Sequence, residues 1–197
     1  MRHKYETHGI VLARLPLGEA NASITLLTRE LGVVRARAQG VRARGAKLAP
    51  ALATFAESSL VLVRGREGWR LAGAVLEENW FKRLARAAPR RRAARVSGLL
   101  LRLVAGEAHD PALFSIMRGF FEALAALPLS KNFDTEEDMH EAAEVLAALR
   151  ILKTLGLDVG KIPGAPAEFT RTALATVVQH APAYIQRINH GIAASGL

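Results

Sequence analysis

The sequence predicts an α+β protein, with a small five-stranded β-barrel at the N-terminus followed by an all-helical domain. Residues up to about Glu78 form short apolar or alternating runs separated by glycine-rich turns, which is typical of a small barrel. Beyond Glu78 the apolar residues recur every three to four positions, which is the helical period. We therefore expect a barrel domain over residues 1–79 and a helical domain over residues 80–197.

Strands are expected over Tyr5–Leu15, Ser23–Arg29, Val33–Gln39, Leu52–Arg64 and Trp69–Glu78. The third alternates most regularly, with Val34 and Ala36 on one side and Arg35 and Arg37 on the other. A period of two is typical of a strand with one buried face. Residues 65–68 hold two glycines and favour a hairpin turn.

Helix signals follow in order along the second domain. Pro89 suits the first turn of a helix over Arg90–Gly106, and Asp110 with Pro111 predicts an N-cap and first turn for the next. That second helix carries an apolar stripe that predicts a core-facing side. Further helices are expected from Asp134 or Thr135 to Gly156, over Thr170–His180 and over Ala183–Ala194. Residues 158–167 are expected to form a loop.

Composition narrows the classes of function. The chain of 197 residues has no cysteine, which excludes disulfides, a thiol nucleophile and a thiolate zinc site. No apolar run is long enough to span a bilayer and the first residues lack a signal-peptide pattern, so we expect a cytoplasmic protein without a membrane partner. A net charge of +9 indicates a polyanionic partner.

The positive charge is unevenly distributed. Residues 1–80 carry 12 Lys/Arg against 7 Asp/Glu, and residues 81–131 carry 10 against 3. Residues 132–197 carry 5 against 8, so the last third of the chain is mildly acidic. The excess therefore belongs to the first two-thirds.

A first basic cluster lies on the third strand and in the segment that follows it. It consists of Arg35, Arg37, Arg42, Arg44 and Lys47, with no acidic residue between Val33 and Pro50. A row of cations of one sign favours a nucleic-acid backbone, because binding releases the counterions of the phosphates. An ordinary solvated strand face remains the alternative.

A second basic cluster begins at the expected domain junction. It consists of Lys82, Arg83, Arg86, Arg90, Arg91, Arg92 and Arg95, again with no acidic residue between them. Spread over helical turns, these cations would extend a nucleic-acid path from the barrel to the helical domain. The alternatives are a membrane-surface segment, which the small alanine side chains around them disfavour, or a solvated face.

Catalytic and metal-binding patterns are not found in the sequence. The six histidines have no metal-ligand spacing, and the phosphate-loop, dinucleotide-binding and nucleophile-elbow motifs are absent. We therefore expect neither an enzyme nor a cofactor. The aromatic residues Tyr5, Trp69, Trp80 and Phe81 are each expected to pack in a core rather than stack on bases.

An ordered set of short motifs in the N-terminal part resembles the RecO family of bacterial recombination mediators. The set comprises Gly9-Ile10-Val11-Leu12, Leu17-Gly18-Glu19, Leu26-Leu27-Thr28-Arg29-Glu30-Leu31-Gly32, Gly40-Val41-Arg42 and Leu48-Ala49-Pro50-Ala51-Leu52. The resemblance implies an OB-fold barrel before a helical domain, binding of single- and double-stranded DNA, and annealing of complementary strands. It also implies a nucleoid-associated location, partnership with RecR and the single-strand-binding protein SSB, and help in loading the recombinase RecA.

The chain departs from the family at one place. Many members carry a cysteine cluster after a Leu-Gly turn, often binding zinc, whereas residues 155–164 here contain none. Two other functions remain open at this point. One is an OB-fold protein that binds RNA or the ribosome, and the other is a protein-binding scaffold whose charge serves solubility.

Overall fold

The N-terminal part of the chain is a closed five-stranded β-barrel, as predicted. The structure is a computed structural model that describes residues 3–104, 106–107, 110–127 and 133–196. The strands are β1 (Lys4–Leu17), β2 (Asn21–Thr28), β3 (Gly32–Ala38), β4 (Ala56–Gly65) and β5 (Gly68–Asn79), closed in the order β1-β2-β3-β5-β4. A short 3-10 helix over Pro50–Leu52 precedes β4.

The barrel closes through one parallel pair. Neighbouring strands run antiparallel except β3 and β5, where Ala36 lies opposite Trp69 and Arg37 opposite Arg70. Parallel strands need a long crossover connection, which residues 39–55 and β4 supply here. Closure removes the open sheet edges that would otherwise pair with other chains.

The barrel core follows the alternation of the strands. Val34 and Ala36 are fully buried whereas Arg35 and Arg37 are exposed, which confirms the predicted half-buried strand. The buried set fills the interior with aliphatic side chains: Val11, Ile24, Leu26, Val34, Leu52, Leu60, Leu62 and Leu71 are among its members.

A one-turn helix that the sequence did not indicate, α1 (Trp80–Arg83), follows the barrel. Trp80 is 1% exposed, and its Nε1 donates to Glu57 Oε2 at 2.9 Å. Glu57 is itself buried, so this bond satisfies a carboxylate inside the protein. The Trp80 amide also donates to the Phe55 carbonyl oxygen at 3.2 Å.

The remaining helices are α2 (Ala87–Leu103), α3 (Pro111–Ala126), α4 (Phe133–Thr154), α5 (Arg171–Gln179) and α6 (Ala181–Ala194). Helix α2 begins three residues before the predicted start and ends at Leu103, before the predicted Gly106. Two compact units divide the chain, Met1–Arg83 with Ala105–Phe114 and Leu84–Val104 with Ser115–Leu197. The chain thus passes between the units three times, where the sequence indicated one boundary near residue 79.

Helix α4 is the centre of the helical unit. Residues 145–152 are all buried, because α2, α5 and α6 each pack against this helix. The predicted apolar stripe of α3 is also confirmed, with Ile116, Met117 and Phe120 at most 1% exposed. At the start of α3, Asp110 Oδ1 accepts a hydrogen bond from the Ala112 amide at 2.8 Å, as expected of an N-cap.

Arginine side chains hold the cysteine-free segment between α4 and α5. Arg150 Nη2 donates to the carbonyl oxygens of Pro163 at 3.0 Å and Glu168 at 2.9 Å. Arg187 forms two bonds to Asp158, of 3.0 and 2.5 Å. Burial lowers the pKa of Arg150 to about 10, so the guanidinium remains charged at neutral pH. Side-chain to backbone bonds thus fix a segment without regular secondary structure.

Two helix-interior glycines predict opposite effects of one substitution. A Cβ at Gly119 in α3 would lie 2.2 Å from the Ala167 carbonyl oxygen, whereas one at Gly98 in α2 would meet no atom within 4 Å. We expect Gly119→Ala to lower the free energy of unfolding by about 1–3 kcal/mol through overpacking. Gly98→Ala should raise it by about 0.5–1 kcal/mol through helix propensity. Urea denaturation followed by circular dichroism measures both, and shifts of the same sign would contradict the packing described.

Candidate nucleic-acid interface

The first basic cluster lies on the outside of the barrel. Arg35 and Arg37 point outward from β3 because the residues between them face the core. Their cross-strand neighbours on β2 are Thr25 and Ser23, which carry no charge. The outer surface of β3 therefore presents two cations without an opposing carboxylate on β2.

The segment after β3 is tied to the turn between β1 and β2. The Gly40 amide donates to Asn21 Oδ1 at 3.0 Å, and the Arg42 amide donates to the Ala20 carbonyl oxygen at 2.9 Å. Arg42 Nη1 also donates to the Gly18 carbonyl oxygen at 2.5 Å. Arg42, Arg44 and Lys47 are all exposed. The segment thus holds all three cations at the surface, and the Arg42 side chain also helps to fix the segment through its bond to Gly18.

The closing strand pair adds cations that the sequence analysis missed. Arg70 lies beside Arg37 across the β3–β5 pair and is exposed, as are Arg64 and Arg66 on the β4–β5 hairpin. The signal was present in the hairpin sequence from 64 to 70, Arg-Gly-Arg-Glu-Gly-Trp-Arg, which holds three arginines and one glutamate. Only knowledge that β5 pairs with β3 would have joined it to the first cluster.

These cations line an open cleft in the barrel unit, which we call the barrel cleft. Its volume is about 890 Å³, and its cationic lining consists of Arg37, Arg64, Arg66 and Arg70. The lining carboxylate of Glu67 lies 3.2 Å from Arg37 Nη1, in a pair whose side chains are 65% and 85% exposed. Such an exposed pair is weak and readily exchanged for another anion. The cleft therefore combines exposed cations with room for a polyanion.

Two aromatic rings also line the barrel cleft, and a carboxylate outside its lining, Glu107, binds two of the lining residues. Tyr5 and Trp69 meet edge to face with ring centroids 5.0 Å apart, and the Arg64 guanidinium carbon lies 4.8 Å from the centroid of the Trp69 ring. Trp69 is buried, as expected, whereas Tyr5 is 37% exposed. Trp69 Nε1 donates to Glu107 Oε1 at 2.8 Å, and Arg64 Nη1 donates to the same oxygen.

The ionisation of Glu107 follows from these contacts. The hydrogen bond from Arg64 and then that from Trp69 lower the pKa of Glu107, and they outweigh the opposing effect of burial. Glu107 is therefore a carboxylate at neutral pH, held against a cationic and an aromatic donor. This contact was not indicated by the sequence, because 38 residues separate Glu107 from Trp69.

The start of the second basic cluster lies on α1. Lys82 and Arg83 are exposed. Arg83 Nη1 donates to Glu78 Oε2 at 3.0 Å, and its guanidinium carbon lies 4.9 Å from the centroid of the Trp80 ring. Arg83 thus has an acidic neighbour from β5, although the sequence between residues 82 and 95 contains none.

The rest of the second cluster lies on α2 and at its N-cap, Arg86, and its members differ in burial. Arg86 and Arg91 are exposed and Arg90 is half-buried, but Arg92 is only 6% exposed. Arg92 is therefore not the solvated cation that the acid-free sequence predicts. Arg95 is exposed, but it also binds a carboxylate. The sequence held a signal for this, since Arg92 is in helical register with the buried Val96 and Leu100.

Glu144 on α4 is the partner of both arginines. Arg92 Nη1 donates to its Oε2 at 2.7 Å, and Arg95 binds both carboxylate oxygens, at 2.5 and 2.6 Å. The Glu144 side chain is only 18% exposed, so this ion pair is largely shielded from water. The acidic last third of the chain thus neutralises part of the second cluster, and the contribution of that cluster to nucleic-acid binding remains a prediction.

The described part of the chain shows neither a metal-binding cluster nor a membrane-spanning helix. No group of three or more histidine or acidic side chains there is placed to hold a metal ion. The buried His140 has its Nε2 3.3 Å from the Leu124 carbonyl oxygen, which gives it a structural partner. None of the described helices combines the length and the apolar character needed to cross a membrane.

Comparisons with known proteins agree with the barrel. A family model described as "Recombination protein O N terminal" matches residues 1–78. DNA repair protein RecO of Gloeobacter violaceus is 36% identical over 126 residues, which cover 63% of this chain and 48% of that protein. DNA repair protein RecO of Acaryochloris marina is 41% identical over 80 residues, covering 41% and 27%. The match thus spans less than half the length of each relative.

Burial predicts different roles for two adjacent arginines of α2. Arg92→Ala should lower the free energy of unfolding by about 2–3 kcal/mol. This loss is smaller than that for removing the sole partner of a buried charge, because Glu144 retains its ion pair with Arg95. Arg91→Ala, at an exposed site, should change it by less than about 0.5 kcal/mol. Urea denaturation of both variants is the measurement. Equal losses would show that Arg92 is not the buried partner of Glu144.

Proposed function

Because the N-terminal barrel matches the family model described as "Recombination protein O N terminal" over residues 1–78, we propose that this chain is a member of the RecO family, that it binds DNA in recombinational repair and that it catalyses no reaction itself. The observation that carries the proposal is the outer surface of the closing strand pair. Arg35, Arg37 and Arg70 are exposed there, and Arg37 and Arg70 are direct neighbours across two strands. We take these three arginines as the centre of the DNA site.

The physics of the site favours a nucleic-acid backbone over a small anion. Strands in a sheet lie about 4.8 Å apart, so Arg37 and Arg70 present their charges side by side. Arg44, Lys47 and Arg66 extend the positive surface around them. A polyanion that bridges several such cations releases several counterions, whereas a single anion releases few. Phosphate contacts carry no base information, so we expect little sequence preference.

The second basic cluster contributes through its accessible members. Lys82, Arg86 and Arg91 are exposed and remain proposed DNA contacts, with the half-buried Arg90 as a further one. Arg83 and Arg95 already have carboxylate partners, and Arg92 is buried, so we assign these three to structure first. Fewer cations of the second basic cluster therefore support the proposal than the sequence alone indicated.

The resemblance to the RecO family is the basis for proposing a more specific activity on DNA. We propose that the chain anneals complementary strands, since cations that neutralise phosphates reduce the repulsion between two strands held close together. We further propose that it acts on single- and double-stranded DNA with RecR and SSB, and so assists the loading of RecA. A nucleoid-associated, cytoplasmic location is part of the same proposal. We propose no cofactor of this chain for these steps.

A salt titration tests the barrel site. In Arg35→Ala/Arg37→Ala/Arg70→Ala, the slope of log affinity against log salt concentration should fall by about 2–3, since each phosphate contact contributes about 0.7–0.9. Affinity at low salt should fall about tenfold or more for the same reason. Fluorescence anisotropy of a labelled oligonucleotide measures both quantities. Arg42 is left unchanged because its guanidinium also holds the Gly18 carbonyl oxygen.

The control removes the same charge elsewhere. Arg118→Ala/Lys161→Ala/Arg171→Ala takes three exposed cations from the helical unit. This variant should keep the slope of the wild type. If both triple variants weaken binding equally, net charge rather than the barrel surface determines affinity.

Competition experiments separate the proposal from the two other functions. An RNA competitor that displaces the labelled DNA far better than unlabelled DNA of the same length would favour an RNA-binding protein. Weak DNA binding with a shallow salt slope would favour a protein-binding scaffold, because such binding involves few phosphates.

A further inference from the structure

We propose that two residues lining the barrel cleft form a preformed phosphate site, which the Glu107 carboxylate occupies in the free protein and a nucleic-acid phosphodiester occupies in the complex. The site consists of the Arg64 guanidinium and the indole N–H of Trp69. This inference rests on the proposed DNA binding and adds to it an internal competitor for the phosphate.

The geometry of the donors supports a site built for one anionic oxygen. Trp69 Nε1 and Arg64 Nη1 both donate to Oε1 of Glu107, the former at 2.8 Å. Two donors that converge on a single oxygen are the arrangement by which proteins bind oxyanions. The second carboxylate oxygen of Glu107 is left out of both bonds. A phosphodiester offers the same acceptor, an oxygen that carries part of one negative charge.

The donors are held in place independently of Glu107. Trp69 is 8% exposed, and the edge-to-face contact with Tyr5 fixes its ring. The Arg64 guanidinium carbon lies 4.8 Å from the centroid of the same ring, within the range of a cation–π contact. The two N–H groups therefore keep their direction when the carboxylate leaves. A preorganised site binds an incoming anion with little loss of side-chain freedom.

Glu107 is far more exposed than Trp69 and about as exposed as Arg64. Its side chain is 45% exposed, so it can leave the site without opening the barrel core. The remaining cationic lining of the barrel cleft, Arg37, Arg66 and Arg70, would bind the neighbouring phosphates of a strand. A carboxylate at this position repels those phosphates and occupies Arg64. Its removal should therefore strengthen binding, which is the opposite of the usual effect of losing a polar contact.

The alternative is that Glu107 only stabilises the barrel unit. Removing it would then lower stability and leave DNA affinity unchanged or weaker. Glu107→Gln separates the two roles, because the amide keeps the shape and one acceptor oxygen but loses the charge that holds Arg64. Glu122→Gln is the matched control, since it removes one charge from an exposed pair with Arg118 in the helical unit.

The decisive measurement compares affinities for a fluorescein-labelled oligodeoxythymidine and for a duplex of equal length. Glu107→Gln should bind the single strand about two- to fivefold more tightly than the wild type, the size expected for one partly exposed charge interaction. Glu122→Gln should bind as the wild type does. In an Arg64→Ala background, Glu107→Gln should bring a smaller gain, because the site has lost its cation.

The indole N–H resonances report occupancy directly. The protein has two tryptophans, and Trp80 Nε1 is bonded to the buried Glu57. In nitrogen-15 spectra of the full chain, one indole signal should shift both in Glu107→Gln and on addition of the oligonucleotide to the wild type. The signal of Trp80 should stay in place in both cases and serves as the internal reference.

The outcomes divide as follows. Tighter binding by Glu107→Gln with unchanged Glu122→Gln supports the phosphate site. Equal or weaker binding by Glu107→Gln overturns the phosphate site, whether or not the midpoint of thermal unfolding is lowered. DNA binding itself would still stand in that case. Absence of DNA binding in the wild type overturns the proposed function and this inference together.

Discussion

The parallel pairing of β3 with β5 is the constraint on which the barrel and its site depend. It closes the sheet, so that every strand has two neighbours and the core is surrounded on all sides. The same pairing sets Arg37 beside Arg70 and brings the β4–β5 hairpin to the end of β3, which forms the barrel cleft. An open sheet with the same strands would place these cations at opposite edges. Stability and the positive surface thus come from one set of backbone hydrogen bonds.

Carboxylates bind arginines in both units, but these ion pairs differ in burial. Glu144 is 18% exposed and binds Arg92 and Arg95 inside the helical unit. There the low local dielectric favours a lasting ion pair, so these cations serve the fold. Glu107 is 45% exposed and binds Arg64, a residue that lines the barrel cleft, where water and salt screen the pair. Burial therefore decides which cations are committed to structure and which remain exchangeable.

Arginine side chains fix the cysteine-free segment between α4 and α5 through hydrogen bonds and an ion pair. Arg150 of α4 and Arg187 of α6 bind its carbonyl oxygens and Asp158. Carbonyl oxygens are strong acceptors, and guanidinium groups satisfy several of them at once. The mildly acidic composition of the last third of the chain is used in the same way, since Asp158 and Glu144 both bind arginines of the helical unit.

Local patterns determined the five strands, the outward direction of Arg35 and Arg37, the stripe of α3 and the Asp110 cap, because period and capping depend only on neighbouring residues. The ordered N-terminal motifs also indicated the resemblance to the RecO family, whose N-terminal model matches residues 1–78. The tertiary structure alone decided that Arg70 joins Arg37, that Glu144 neutralises Arg92 and Arg95, and that Glu107 binds Arg64 and Trp69. Each of these contacts joins residues more than 30 positions apart. Counting charges in segments of the sequence shows where cations are concentrated. Only the fold determines which carboxylate lies beside each cation.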